Sequence, residues 1–162
     1  GVGIADVMAE AGFSHGGFYN HFPSKEALAA ESCASVLASA PSFTTLEEGE
    51  WRRFAEGYVS TAHRNDRRDG CAIAALAADA ARQPKDVQAP FADGVERTIE
   101  LLAAAMGGSR KEATRLFAEL VGSVILSRAV QRANPELADA ILSATRGPQK
   151  KAKKQKKAKP AT

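Results

Sequence analysis

Apolar positions recur along this chain at three- and four-residue intervals, and no stretch alternates apolar and polar residues over a useful length. That spacing predicts an all-α fold. Residues 4–11 place Ile4, Val7 and Ala11 on one face and stop at Gly12, where a left-handed residue ends a helix without a Cβ clash. A second short segment opens at Ser14. A longer helix is predicted over 24–40, with Leu28, Val36, Leu37 and Ala40 on related faces and Pro41 just past its end. Thr44 and Glu47 have the spacing of a capping box, and Trp51, Phe54, Ala55, Tyr58, Val59 and Ala62 then fall at i, i+3, i+4, i+7, i+8 and i+11 of one amphipathic helix.

Residues 63–70 are polar and turn-like, and 71–81 is an alanine-rich apolar helix with little polar surface to show. Pro84 and Pro90 interrupt the helical pattern after it, so the next helix is expected to start near Pro90 and to carry Val95, Ile99, Leu102 and Met106 to a stop at Gly107-Gly108. Ser109 and Glu112 form another capping box. It opens the most strongly patterned helix in the chain, whose stripe is Ala113, Leu116, Phe117, Leu120, Val121, Val124 and Ile125. Asn134 as N-cap and Pro135 at the first helical position start a last helix with Leu137, Ala138, Ile141 and Leu142. Gly147-Pro148 ends the folded part, and 148–162 is a low-complexity segment expected to be disordered.

At 162 residues and 44% hydrophobic letters the chain is long enough to bury a sizeable core. It has no uninterrupted apolar run long enough for a membrane span and no charged-then-apolar leader, so a cytoplasmic chain without membrane contact is expected. Cys33 and Cys71 are isolated, which excludes a disulfide framework and structural zinc. His15 and His21, six apart, lie on different faces of a helix, and no metal or other cofactor is expected. Cys71 reads as a buried structural thiol, with a thiolate activated by Arg67 and Arg68 as the other reading. His63 reads as a surface or capping residue.

Charge is unevenly distributed. The chain carries +3, yet Lys150, Lys151, Lys153, Lys154, Lys156, Lys157 and Lys159 alone contribute +7, which leaves −4 on residues 1–149. The basic balance therefore belongs to the tail, and local motifs must carry any reading of the body as a nucleic-acid binder. No nucleophile–base pair or pair of carboxylates stands out, so an enzyme is not expected and no catalytic residue is named.

The segment from Ile4 to Leu28 is the most informative. Two short helices joined by Gly12-Phe13-Ser14 have helix-turn-helix spacing, in which the second helix enters the major groove and the first braces it. Ala11 permits close crossing, Gly12 the sharp turn, and Ser14 can cap the second helix. Phe13, Phe18 and Phe22 are expected as inward anchors, leaving His15, Gly16, Gly17, Tyr19, Asn20 and His21 to face a partner. With Ala11-Gly12, Tyr19-Asn20-His21-Phe22 and Ser24-Lys25-Glu26 in register, this segment resembles the DNA-binding half of the TetR family of transcriptional repressors. The alanine-rich 71–81 segment also resembles a Cys-led helix of one subgroup of that family. The family has a preceding helix packed across the other two, of which only Gly1-Val2-Gly3 correspond here, and the chain reads as a fragment lacking its native N-terminus.

The resemblance implies an incomplete helix-turn-helix DNA-binding domain over 1–30, a helical ligand-binding and dimerisation domain over 31–147, and the lysine tail over 148–162. It assigns Tyr19 and Lys25 to phosphates, and His15, Gly17 and Asn20 to the groove, with Ser14, Gly16 and His21 in the same surface. It implies a pocket for an unknown small-molecule effector, for which Trp51, Phe54, Tyr58, Met106 and Phe117 are the candidates. It also implies a homodimer through Phe117, Val121, Val124, Ile125, Leu137 and Ile141. The function expected is that of a ligand-responsive repressor on a double-stranded DNA operator. The alternative is a sequence-independent DNA binder driven by the lysine tail.

Overall fold

Two glycine stops and five side-chain caps divide the chain into short and long helices. The computed structural model describes residues 2–39, 46–66 and 68–146. Its elements are α1 (Ile4–Glu10), a 3-10 turn over His15–Asn20, α2 (Lys25–Ser39), α3 (Trp51–Tyr58), α4 (Thr61–Asn65), α5 (Ala72–Ala80), α6 (Lys85–Ala105), α7 (Arg110–Val130) and α8 (Pro135–Arg146). The fold is all-α, with no strand among the described residues.

The boundaries have local causes. Ser24 Oγ accepts the Ala27 N–H at 3.1 Å, Ser109 Oγ that of Glu112 at 3.3 Å, and Asn134 Oδ1 that of Leu137 at 3.0 Å, so three long helices start on the caps their sequences offer. At the end of α6, Gly107 and Gly108 take φ of +87° and +102°, a conformation that costs glycine little.

Helix α6 packs against α2 on one side and α7 on the other, and α8 closes over α7. Val59, Leu102, Leu120, Val124 and Leu142 are sealed between these helices, joined by Tyr58, Ile73, Ile99 and Phe117. Burying each such side chain stabilises the fold by roughly 1.5–3 kcal/mol before entropy is counted. Ser127, also fully buried, donates its hydroxyl to the Ala138 carbonyl at 2.7 Å and draws α8 close to α7.

Several expectations are corrected. The stripe from Trp51 to Ala62 is two helices, because Ser60 turns extended (φ −89°, ψ 155°) and its Oγ caps a new helix at the His63 N–H, 3.0 Å away. The first of them begins at Trp51 behind Glu50, whose carboxylate accepts the Glu47 N–H at 3.3 Å; Thr44 of the expected capping box lies outside the described residues. Helix α6 starts at Lys85, ahead of Pro90, which it accommodates in its second turn at the loss of one backbone hydrogen bond. Phe13 is 57% exposed and does not anchor the head, whereas Phe18 is fully buried. The lysine tail lies outside the described residues.

Candidate functional site

The N-terminal head is built from local chemistry. Gly12 takes φ +76°, and the following Phe13 N–H reaches back to the Met8 carbonyl at 2.8 Å, the 6→1 bond of a Schellman stop. Ser14 then caps the next turn by accepting the Gly17 N–H at 3.3 Å. Phe18 is enclosed, with the Tyr19 ring edge-on at 5.2 Å and the Phe22 ring at 5.7 Å. With Phe18 fixed inside, Ser14, His15, Gly16, Tyr19, Asn20, His21 and Lys25 are exposed and Gly17 is half-buried.

Within that surface Gly16 has no internal reason to be glycine: a Cβ there would meet no atom within 4 Å, and its φ is not positive. Glycine in a helical turn destabilises it by about 1 kcal/mol relative to alanine. The fold therefore does not itself require glycine at position 16. The head is poor in positive charge, however. Residues 1–31 hold one lysine, Lys25, against Asp6, Glu10, Glu26 and Glu31. Asp6 is occupied in accepting the Gly3 N–H at 2.9 Å, and Lys25 Nζ rests 3.4 Å from the Val2 carbonyl.

A second site lies behind α3. A cavity of about 710 Å³ is lined by Phe54, Tyr58, His63 and Cys71, with Glu50, Arg53, Asp66 and Asp69 at its exposed rim. His63 is the tie at its inner wall. Its Nδ1 lies 2.6 Å from the Tyr58 carbonyl, its Nε2 accepts the Cys71 N–H at 2.9 Å, and its ring sits 4.5 Å from that of Tyr58. A carbonyl at one nitrogen and an N–H at the other fix the neutral tautomer protonated on Nδ1. Burial pushes the pKa of His63 down, the Arg128 guanidinium adds to this, and the Tyr58 carbonyl and Asp66 oppose it. Burial pushes the Tyr58 hydroxyl far above its ordinary value.

Three arginines hold this wall to the long helices. Arg128 donates to the carbonyls of Arg64 (3.0 Å), His63 (3.1 Å) and Asp66 (3.1 Å), and Arg146 to that of Val59 (3.0 Å). Arg64, itself buried, reaches Asp139 Oδ1 at 2.6 Å and Ser127 Oγ at 3.3 Å. Gly70 belongs to the same construction, since a Cβ there would collide with the Asp66 carbonyl. Cys71 also borders a second cavity, of about 630 Å³, that reaches Leu37 near the end of α2. There α6 approaches so closely that a Cβ on Gly94 would stand 2.8 Å from Leu37 Cδ1.

Of the residues expected in a pocket, Phe54 and Tyr58 line the larger cavity, while Trp51 and Met106 pack on the core, and Phe117 is inside it, edge-on to Tyr58 at 6.3 Å. Of those expected between subunits, Phe117 and Val124 are filled by their own chain, 4% and 0% exposed, so neither has a face left for a partner. Val121, Ile125 and Ile141 are half-buried, Leu137 is 46% exposed, and Leu126, which the stripe omitted, is 58% exposed. The role of His63 at the cavity wall was not legible from its surface-type setting, and Cys71 is buried as expected.

Residues 1–31 match the family described as bacterial regulatory proteins, tetR family. No curated protein sequence matches the chain. Among solved structures, the reduced form of NemR from E. coli is similar, at 20% sequence identity and a TM-score of 0.68, over 90% of this chain and 84% of that one. Among the described residues no helix is long and apolar enough to cross a membrane. The family match thus covers the N-terminal head, and behind the head the likeness is one of fold.

Proposed function

We propose that this regulator is a homodimeric, ligand-responsive repressor, in which a small molecule in the cavity behind α3 lowers affinity for an operator. The observation that carries the reading is the path from cavity to head. The cavity meets Cys71 at the start of α5, Cys71 borders the second cavity, and that cavity ends on Leu37 of α2, the helix that begins at the head. A molecule that binds better where α2 is displaced shifts the population toward that state by the ratio of its two affinities. In the head, Tyr19 and Lys25 meet phosphates, Asn20 and His15 face base edges, and Gly16 and Gly17 let the DNA backbone come close. The second subunit covers the α7–α8 face that presents Leu126 and Leu137.

Two-fold symmetry of such a dimer should be mirrored in its site. Selection from random duplexes is expected to converge on an inverted repeat whose half-sites lie about one helical turn apart, or a multiple of it. Failure to converge would overturn operator recognition. The head's single lysine against four acids favours a second reading, in which the lysine tail supplies most of the affinity without sequence preference. A chain ending at Gly147 separates the two: retained discrimination at lower affinity supports the first, and lost binding to every duplex the second.

A further inference from the structure

The head meets a polyanion with little positive charge of its own. Residues 1–31 hold no arginine, and with their imidazoles neutral they carry −3. Two further basic groups stand there: His15 opens the 3-10 turn and His21 directly follows it, and both are exposed. The third histidine, His63, is set in the body with both nitrogens on backbone. Among the described residues neither head imidazole is paired with a carboxylate, and His21 leans on the Phe13 ring at 5.6 Å. The charged groups of the elements around the turn are Asp6 and Glu10 of α1 and Lys25, Glu26 and Glu31 of α2, of which Glu31 shares a groove with His21. Carboxylates, lysines and tyrosines keep their charge between about pH 6 and 8, so the head's side-chain charge changes in that range through its two imidazoles. DNA offers them acceptors: phosphate oxygens along each strand, and O6 and N7 of guanine in the major groove. A neutral imidazole has one donor, whereas the imidazolium donates from both nitrogens, and a nearby anion favours the charged ring as well.

From these observations we infer that His15 and His21 engage DNA as imidazolium cations, so that operator binding takes up protons and tightens as the pH falls. Protonation of both brings the head from −3 to −1. The rings stand at the two ends of a turn that rises about 2 Å per residue, roughly 12 Å over six steps. That exceeds the Debye length of about 8 Å at physiological salt, so the two protons bind nearly independently. By linkage, protons and DNA promote each other's binding by the same factor. A ring that holds its proton more tightly in the complex than in the free protein adds affinity at low pH, and that gain is lost as the pH rises. Imidazole ordinarily titrates near 6.5. With each imidazolium stabilised about tenfold in the complex, affinity rises about 6-fold per histidine from pH 8 to pH 6, and about 35-fold for both. This rests on the head being a DNA-reading surface, so binding itself is scored at every pH, apart from its slope.

The test titrates the full chain against a duplex carrying the selected inverted repeat, by fluorescence anisotropy at pH 6, 7 and 8 and one ionic strength. His15→Gln and His21→Gln each keep an exposed hydrogen-bonding side chain that has no proton to gain. Either one should cut the rise to about 6-fold, and the double variant should abolish it. Lysines keep their charge throughout, so the tail adds affinity without a slope. Calorimetry at pH 7 in buffers of different ionisation enthalpy counts the protons directly: about one taken up per chain by the parent and none by the double variant. A structural effect of the substitutions would not move that count. Equal affinity at all three pH values, a double variant that keeps the parent's slope, or no proton uptake by the parent would each overturn the inference and leave DNA binding in place. No duplex bound at any pH would overturn the DNA reading, and this assignment with it.

Discussion

The close approach of α2 and α6 can be probed by one methyl group. Gly94→Ala would place a Cβ 2.8 Å from Leu37 Cδ1 and 3.2 Å from Leu37 Cβ and Cγ. A flexible side-chain end can turn away, but the Leu37 Cβ moves only with the backbone of α2, so the helix itself must yield. Overpacking of this kind costs about 1–3 kcal/mol. Against it stands the gain of about 1 kcal/mol from replacing glycine by alanine inside a helix. The expected net loss is therefore about 1 kcal/mol. In a Leu37→Ala background only the contact with the residual Cβ remains, and the same substitution should stabilise by up to about 1 kcal/mol.

The sign change is the informative quantity. Urea unfolding of the four proteins, at one chain concentration because the stability of the proposed dimer would depend on it, should give a coupling of about 2 kcal/mol between positions 37 and 94. Since α2 carries the head, Gly94→Ala should also weaken DNA binding, and Leu37→Ala should restore part of it. Equal effects of Gly94→Ala in both backgrounds would refute the argument that these helices are limited by this contact.

Three further outcomes are expected. Tyr19→Phe and Lys25→Ala should weaken binding to all duplexes by similar factors, whereas Asn20→Ala should lose roughly 1–3 kcal/mol at one base pair and change which sequence is preferred; titrations against point-mutated duplexes distinguish the two patterns. Leu126→Glu should give a folded monomer by sedimentation, and Val124→Glu, which puts a charge at a 0% exposed position, should unfold the chain at any concentration. His63, held below its ordinary 6.5 in the fold, binds its proton more readily in the unfolded chain, so its contribution is complete above pH 6.5 and is lost as pH falls through its folded value; His63→Gln should flatten the acid-side slope of stability against pH, and an unchanged slope would mean the ring is not the titrating group.

What could be read from the sequence was local. Gly12, Ser14, Ser109 and Asn134 act on residues within a few positions of themselves, and each ends or starts an element where it was expected to. The division between α3 and α4 is hidden in the sequence because Ala62 continues the apolar spacing past Ser60, although it is exposed and α4 buries Arg64 instead. The break is set by the Ser60–His63 cap, and held by the backbone carbonyls of Val59, His63 and Arg64 being claimed by Arg146 and Arg128 from far along the chain. His63 and Cys71 meet across a turn whose geometry no periodicity specifies. The stripe on α7 suits intrachain core as well as the interface that the family resemblance implies, because an apolar face does not state its partner. Phe117 and Val124 lie in the buried core and Leu126 is exposed, and only three-dimensional packing separates them.

The two sides of the cavity differ in kind, and that difference bears on which one moves. On the α7–α8 side the wall is fixed by arginine hydrogen bonds to carbonyls and by the Arg64–Asp139 pair, contacts whose strength falls steeply with angle and distance. Toward the head, α2 meets α6 through Leu37 against Gly94, an apolar contact with no preferred direction along the helix. An ångström of movement on the arginine side would break several of these hydrogen bonds, whereas moving Leu37 away from Gly94 gives up apolar contact. On the proposed repressor reading, a molecule pressing on Cys71 and the start of α5 would therefore displace α2 before α7 or α8, and would reorient the heads while leaving the subunits of the proposed dimer joined.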